Sequence, residues 1–178
     1  IPEGGSNGLG SLGYVDAMGE LQADVAEHGL FEEVVVACGS GGTAAGASLG
    51  IARHPVAKRI RAVCVCDDAL YFKGVAERIV LEARALDPSL PAPGPVIWDE
   101  EARGPRYGTM STEQLAFLKR AASEAGLLTD PVYTGKALFG LWLAAKRGDY
   151  PRGARVLFLH SGGLPGLLGA GPELTAHL

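Results

Sequence analysis

The chain is poor in cysteine, with three in 178 residues. An odd number cannot close into a disulfide framework, and Cys64 and Cys66 alternate along one apolar run, which puts both on the same face of a strand. They are too close for an ordinary disulfide, and no second pair exists to complete a zinc site, so they read as small core hydrophobes. Cys38 lies beside a glycine-rich loop and also reads as packing. Unpaired cysteines fit a reducing compartment, and a cytoplasmic location is the expectation. Basic runs are absent as well: 20 acidic against 16 basic residues leave a net charge of −4, with no footprint for nucleic acid. Long apolar runs are missing too. The longest, Ala137 to Ala145, falls far short of the roughly 20 residues needed to span a bilayer, and no signal-peptide pattern opens the chain, so no membrane partner is expected. There is no internal repeat, low-complexity tract or dividing linker, which leaves one α/β domain over residues 1–178 with a sizeable core.

What is present alternates. Leu12, Val15, Met18, Leu21 and Val25 mark a first helix, and a β-branched run predicts a strand at 33–38. A helix from Thr43 or Ala44 to about Ala52 follows, then a strand at 60–66 and a helix from about Phe72 to Leu86 with Val75, Ile79 and Ala83 on one face. After the turn Pro91-Ala92-Pro93-Gly94-Pro95, Val96-Ile97-Trp98 reads as a third strand. Ser111 with Gln114 forms a capping box for a helix through Ala125. A helix after Gly135 and a strand ending at His160 complete the series. Helices between successive strands imply right-handed crossovers and a doubly wound, mainly parallel sheet with helices on both faces.

Three segments carry chemistry. In Val34-Val35-Val36-Ala37-Cys38-Gly39-Ser40-Gly41-Gly42-Thr43, glycines permit a tight turn from strand into helix. Consecutive N–H groups at a helix N-terminus, with the positive end of the macrodipole behind them, make a phosphate site, and Ser40 and Thr43 can add hydroxyl donors. The bland reading is a tight turn serving helix packing. In Asp130-Pro131-Val132-Tyr133-Thr134-Gly135-Lys136, Pro131 excludes a helix interior, while Leu138, Leu141, Trp142 and Ala145 recur at helical spacing. Tyr133 and Thr134 therefore stand at the start of a rigid element, where a side chain can be aimed. In Arg155-Val156-Leu157-Phe158-Leu159-His160-Ser161-Gly162-Gly163, a strand delivers Ser161 to the carboxyl edge of the sheet, where open α/β sheets bind ligands. His160 reads as a structural histidine, not a base.

Together these residues, with the opening Ile1-Pro2-Glu3-Gly4-Gly5-Ser6-Asn7 and Tyr107-Gly108, resemble the D-cysteine desulfhydrase and 1-aminocyclopropane-1-carboxylate deaminase family. That family is a branch of the pyridoxal-phosphate enzymes with the tryptophan-synthase-β fold. The resemblance covers nearly the whole chain. It implies the large domain of a fold-type II enzyme, with pyridoxal phosphate as cofactor. Gly39, Ser40, Gly41, Gly42 and Thr43 would hold the phosphate, and Thr134 and Ser161 would lie near the pyridine nitrogen. Tyr107 and Tyr133 match the two active-site tyrosines. The chain also resembles the later part of a family member, so an N-terminal portion carrying the cofactor-bearing lysine and a segment for the substrate carboxylate is expected to precede it. Lys58, Lys73, Lys119, Lys136 and Lys146 match no such context. Lys136 lies closest to the site and is expected to be structural, so the chain alone is expected to be inactive.

The resemblance implies β-elimination on a small amino acid, such as D-cysteine going to pyruvate, sulfide and ammonia, by a full-length homodimer. The deaminases place a glutamate after the second tyrosine, where this chain has Thr134. A neutral hydroxyl gives the ring a weaker electron sink than a carboxylate holding a pyridinium, which favours the desulfhydrase branch. The deaminase remains the alternative. Two others come from different classes: a nicotinamide-binding Rossmann domain with Gly39 to Gly46 as fingerprint and Asp67 or Asp68 on the ribose, and a catalytically inactive binding module.

Overall fold

The computed structural model describes residues 1–171. Four strands, β1 (Glu33–Cys38), β2 (Ile60–Cys64), β3 (Val96–Asp99) and β4 (Val156–Phe158), form one sheet in the order β3-β2-β1-β4. Every pairing is parallel, with Val34 opposite Ile60, Ile60 opposite Val96, and Val34 opposite Leu157. The central strands are near-continuous apolar runs because both faces are covered. Val34, Val36, Cys38, Ile60, Ala62 and Cys64 pack in one cluster with Ala44, Ala47 and Ile51 of α3 (Gly42–Arg53) and Met18 of α1 (Gly8–Glu20). Val35 and Val63, pointing the other way, meet Ala137 and Phe139 of α6 (Thr134–Arg147). The expected doubly wound α/β sheet with helices on both faces is the observed one.

Helix α1 lies close on α3. A Cβ at Gly46 would stand 2.2 Å from the Ser11 carbonyl oxygen, and one at Gly50 2.5 Å from Met18 Cγ. Close approach, not turn formation, thus explains two glycines inside a helix. The expected single first helix breaks at Leu21, and the continuation α2 (Gln22–His28) has no fully buried residue, with Leu21 and Val25 partly buried against the core. Helix α4 (Ala69–Leu86) starts three residues before the expected Phe72, since the Asp68 side chain accepts the Tyr71 N–H at 2.7 Å and caps it there. Helix α5 (Thr112–Ala125) carries the expected Ser111–Gln114 capping box. Two differences fall near the carboxyl edge. Strand β2 ends at Cys64 and β4 at Phe158, both short of expectation, and a short helix α7 (Leu164–Gly169) follows Gly163. β4 has β1 as its strand partner, and beyond it the Leu159 N–H still bonds Val35 O at 3.0 Å before the chain turns away. Among the described residues, no helix is long and apolar enough to cross a membrane.

The three cysteines are free, as expected. Cys38 and Cys64 are buried in the core, and burial pushes the Cys64 thiol up to about 12. Below α6 the sheet carries an ionic cluster. Arg61 donates to Glu33 and Asp99 at 2.6 Å each and to Asp149 at 2.9 Å, and Tyr150 donates to Glu33 at 2.5 Å.

Candidate active site

At the end of β1 the chain turns through Gly39 and Ser40 into Gly41, whose φ of +85° is left-handed, and α3 begins at Gly42. The Ala45 N–H bonds Gly41 O at 3.0 Å, so the N–H groups of Gly42, Thr43 and Ala44 form the first turn and have no carbonyl four residues back within the helix. The N-cap position, Gly41, has no side chain to cap this helix. Ser6 comes from the opening segment: its Oγ accepts the Gly42 N–H at 3.3 Å and lies 2.6 Å from Ser40 Oγ. A Cβ would collide at each of three loop glycines. At Gly39 it would stand 2.8 Å from Tyr133 Cε1, at Gly41 2.9 Å from Val75 Cγ1, and at Gly42 2.7 Å from Ser6 Oγ. Backbone donors, two serine hydroxyls and a helix dipole, with no carboxylate among them, fit a phosphate group.

Tyr133 is the residue against Gly39. It precedes α6, and its placement is set by Asp130. The Asp130 carboxylate is 1% exposed. Its Oδ2 accepts the N–H groups of Val132 and Tyr133 at 2.8 and 2.9 Å, and its Oδ1 accepts the Thr134 N–H at 2.7 Å. One side chain thus satisfies three orphan donors at the start of α6. Gly135 leaves no room for a Cβ, which would stand 2.4 Å from Asp130 O.

Tyr107 reaches the same place from a turn. Arg106 to Thr109 is closed by the Thr109 N–H on Arg106 O at 3.3 Å, with Gly108 at φ +72°. A left-handed third residue is what a type II turn requires, and it leaves Tyr107 at the tip. The two phenol oxygens lie 2.5 Å apart and the rings meet edge to face at 6.1 Å. Tyr107's hydrogen bond and then burial hold the Tyr133 phenol above the ordinary tyrosine range. One hydroxyl proton lies between the oxygens. The other phenol's proton is free to point outward.

Thr134 is buried and its hydroxyl is engaged. It accepts the Asp130 N–H at 3.1 Å and lies 2.7 Å from Asp130 Oδ1 and 3.2 Å from Gly162 O. Thr134 therefore ties the start of α6 to the turn after β4, where Gly162 and Gly163 take φ of +116° and +111°. Ser161 is exposed in that turn, at the carboxyl edge. The Gly162 N–H donates to His160 Nδ1 at 3.3 Å, so the ring proton sits on Nε2 and faces Leu128 O at 2.8 Å. That is the structural role expected of His160. Lys136 is wholly buried, and its ammonium donates to Val65 O and Arg106 O at 3.0 Å each. Burial lowers its pKa. Among the described residues, no group of three or more His, Cys, Asp or Glu side chains could hold a metal ion.

The structure thus brings the Gly39–Thr43 loop, Tyr133 and Tyr107 together and links Thr134 to the residue after Ser161. Sequence reasoning passed over Asp130 and Ser6. An acid before proline, four residues ahead of a threonine at a helix start, is the signal that marks Asp130 as a cap.

A family model described as pyridoxal-phosphate dependent enzyme matches residues 1–162. The mitochondrial bifunctional D-cysteine desulfhydrase/1-aminocyclopropane-1-carboxylate deaminase of Arabidopsis thaliana is 37% identical over 175 residues, which are 94% of this chain and 42% of that protein. The D-cysteine desulfhydrase of Yersinia pestis (strain Pestoides F) is 36% identical over 178 residues, 98% of this chain and 53% of that protein. A solved structure described as an ACC deaminase homologue superposes with a TM-score of 0.84 at 32% identity, covering all of this chain and 53% of that one. The chain spans about half the length of the relatives it matches.

Proposed function

The chain belongs to the pyridoxal-phosphate-dependent enzymes, and from that premise we propose that it forms the phosphate cradle and the tyrosine-bearing wall of a lyase acting on a small amino acid. The reading is closest to D-cysteine desulfhydrase, with 1-aminocyclopropane-1-carboxylate deaminase as the alternative. The observation that carries it is the Gly39–Thr43 loop, open at the N-terminus of α3 and in contact with Tyr133. Pyridoxal phosphate, when bound, supplies the electron sink for breaking a bond to the substrate's α-carbon.

The residues of this chain do the rest of the work assigned to them. The N–H groups of Gly42, Thr43 and Ala44, with the Ser40 and Thr43 hydroxyls, bind the phosphate. Ser161 would offer the ring nitrogen a neutral hydroxyl, which can hold the ring without charging it. Thr134 would support that contact indirectly, since its hydroxyl lies 3.2 Å from the Gly162 carbonyl, next to Ser161. Tyr107 and Tyr133 share one proton between their oxygens and present the other towards the leaving thiolate, where a phenol can donate without itself being ionised at neutral pH.

The nicotinamide reading is overturned. The family match covers the proposed fingerprint, and of the two acids offered for the ribose, Asp67 or Asp68, Asp68 caps α4 instead. No lysine here is assigned to the cofactor's aldehyde. Lys136 is occupied by two carbonyls, Lys58 pairs with Glu32, and Lys146 lies over the Trp142 ring. In our reading that lysine, and the recognition of the substrate carboxylate, belong to the half of the relatives' length this chain does not cover. The same reading takes the 178 residues as one domain and the whole enzyme as a cytoplasmic homodimer.

Amide shifts of the isotopically labelled chain, followed as inorganic phosphate and then pyridoxal phosphate are added, test the cradle. The expected result is a saturating shift at residues 41–44 with either ligand, abolished by Gly42→Val. Saturation elsewhere with a silent loop rejects the reading. Sulfide release from D-cysteine tests the chemistry. The full-length protein should release it, and the 178-residue chain should match free cofactor. Turnover by the chain that Lys136→Ala abolishes would show that the lysine is misassigned.

A further inference from the structure

We infer that Lys136 is a positioning residue: its buried ammonium fixes the turn that carries Tyr107, and so sets the meeting of the two phenols. This inference rests on the lyase reading for its consequence in catalysis, but not for its geometry.

Two backbone carbonyls lie outside the four strands of the sheet. Val65 follows the last residue of β2. Its N–H is bonded to Cys38 O at 3.1 Å, and its carbonyl lies beyond the ladder. Arg106 is the first residue of the Tyr107 turn, and its carbonyl closes that turn by accepting the Thr109 N–H and, at 3.2 Å, the Thr109 hydroxyl. Lys136 Nζ lies 3.0 Å from both carbonyl oxygens. One cation therefore joins the sheet edge to the turn, and it does so from the first turn of α6, three residues after Tyr133.

A buried cation at a helix N-terminus is costly, because burial removes its hydration and the dipole repels it. An apolar side chain would fill the same space without that penalty. Asp130, the carboxylate whose charge favours the ammonium, offers no direct bond, since its own bonds go to the backbone of 132–134 and the Thr134 hydroxyl. What the ammonium gains is the turn. Tyr107 is 55% exposed, so side-chain burial does little to hold it, and Gly108 at the tip has nothing within 4 Å of where a Cβ would stand. The turn is tied at its base by Lys136 and at its tip by the phenol contact. Since Lys136 and Tyr133 leave the same helical turn, the clamp fixes Tyr107 relative to Tyr133.

Two variants and two readouts test this. Lys136→Met removes the charge and the donors while keeping the length. Gly108→Ala loosens the same turn from outside, at a positive φ and without touching the core, so it answers if the first variant fails to fold. Amide hydrogen exchange of the 178-residue chain should show the Thr109 amide exchanging at least tenfold faster in each variant, with the β1 amides unchanged. Unchanged exchange at Thr109 in both variants, or acceleration spread evenly over the chain, overturns the clamp. In the full-length protein with pyridoxal phosphate, kcat for sulfide release from D-cysteine should fall about tenfold in each variant. It should fall no further when either is combined with Tyr107→Phe, because the loss travels through that phenol. Additive losses overturn the positioning role. A full-length protein that releases no sulfide rejects the lyase reading instead, and the exchange result then decides the clamp alone.

Discussion

Replacing Asp130 by asparagine changes one atom of the site's framework and tests whether a carboxylate, and not merely its shape, holds Tyr133 and Thr134. Four bonds end on its two oxygens: Val132 and Tyr133 N–H on Oδ2, Thr134 N–H and Oγ1 on Oδ1. The amide keeps one oxygen. If that oxygen faces Val132 and Tyr133, its NH2 group faces Thr134, whose hydroxyl can turn to Gly162 O at 3.2 Å. The Thr134 N–H cannot turn, and it is left buried against another donor. In the opposite orientation two backbone donors are orphaned, so the first is preferred. Losing one bond to a charged acceptor costs about 1.5–3 kcal/mol. Losing the negative charge at the N-terminus of α6 adds about 0.5–1 kcal/mol. Asp130→Asn should thus cost about 2–4 kcal/mol, a large part of the roughly 5–15 kcal/mol that holds a domain together. Urea unfolding followed by circular dichroism should show the midpoint lowered by about 1–2 M at an unchanged slope. A loss below 0.5 kcal/mol would mean that the carboxylate is dispensable and that the cap is a matter of shape.

Three further outcomes follow from the same structure. Arg61→Leu leaves Glu33 and Asp99 buried without their shared partner and should cost about 3–5 kcal/mol in chemical unfolding, against less than 1 kcal/mol if the cluster is only decorative. Gly39→Ala puts a Cβ 2.8 Å from the Tyr133 ring and must displace it, so the Tyr133 phenol should ionise at a lower pH in a spectrophotometric titration; an unchanged titration contradicts the contact. The buried Cys64 thiol ionises near pH 12, well above an unfolded thiol near about 8.5–9. Between those values the unfolded chain has lost a proton that the folded one keeps, so stability falls as pH rises through that window. Wild type should lose about 1.5–2 kcal/mol more than Cys64→Ala between pH 8 and 10, and equal losses exclude the thiol as the source.

The parts of the fold that were legible in the sequence are those decided by neighbours in the chain. The β-branched run gives β1 its bounds, and Ser111 with Gln114 places the start of α5 because both halves of the box are local. The parts that were not legible are decided across the sheet. The break between α1 and α2 at Leu21 is hidden in the apolar spacing, because Leu21 and Val25 keep that spacing and still pack against the core. The end of β4 is set by its pairing with β1, and the start of α7 by a glycine at φ +111°. In the site, the glycine loop and Tyr133 stood out because their local patterns are unusual. The meeting of Tyr107 with Tyr133 spans 26 residues and is made by a buried lysine, which periodicity alone presents as one more helical position.

The orphan groups of the helices also bear on the proposal of a phosphate site at α3 and not at α6, although both N-termini sit at the carboxyl edge. Each long helix starts with donors in need of an acceptor. Asn7 serves α1, Asp68 serves α4, Ser111 serves α5, and Asp130 serves α6 with a full negative charge. An anion approaching α6 would meet the Asp130 carboxylate before it met the dipole. At α3 the position equivalent to a cap is Gly41, which has no side chain, and the Ser6 hydroxyl takes the Gly42 N–H at a long 3.3 Å. Ser6 can turn from acceptor to donor when an oxygen arrives, because its hydroxyl already shares a proton with Ser40 at 2.6 Å. A carboxylate could not make that exchange. A serine pair beside a side-chain-free cap leaves the dipole of α3 without a charged cap, and on the proposed reading a dianionic phosphate would complete what the chain leaves open. Ser6→Asp should therefore abolish phosphate binding at residues 41–44 while leaving the helix as stable as before or more so, since it would supply the missing cap; retained binding in that variant would place the anion elsewhere.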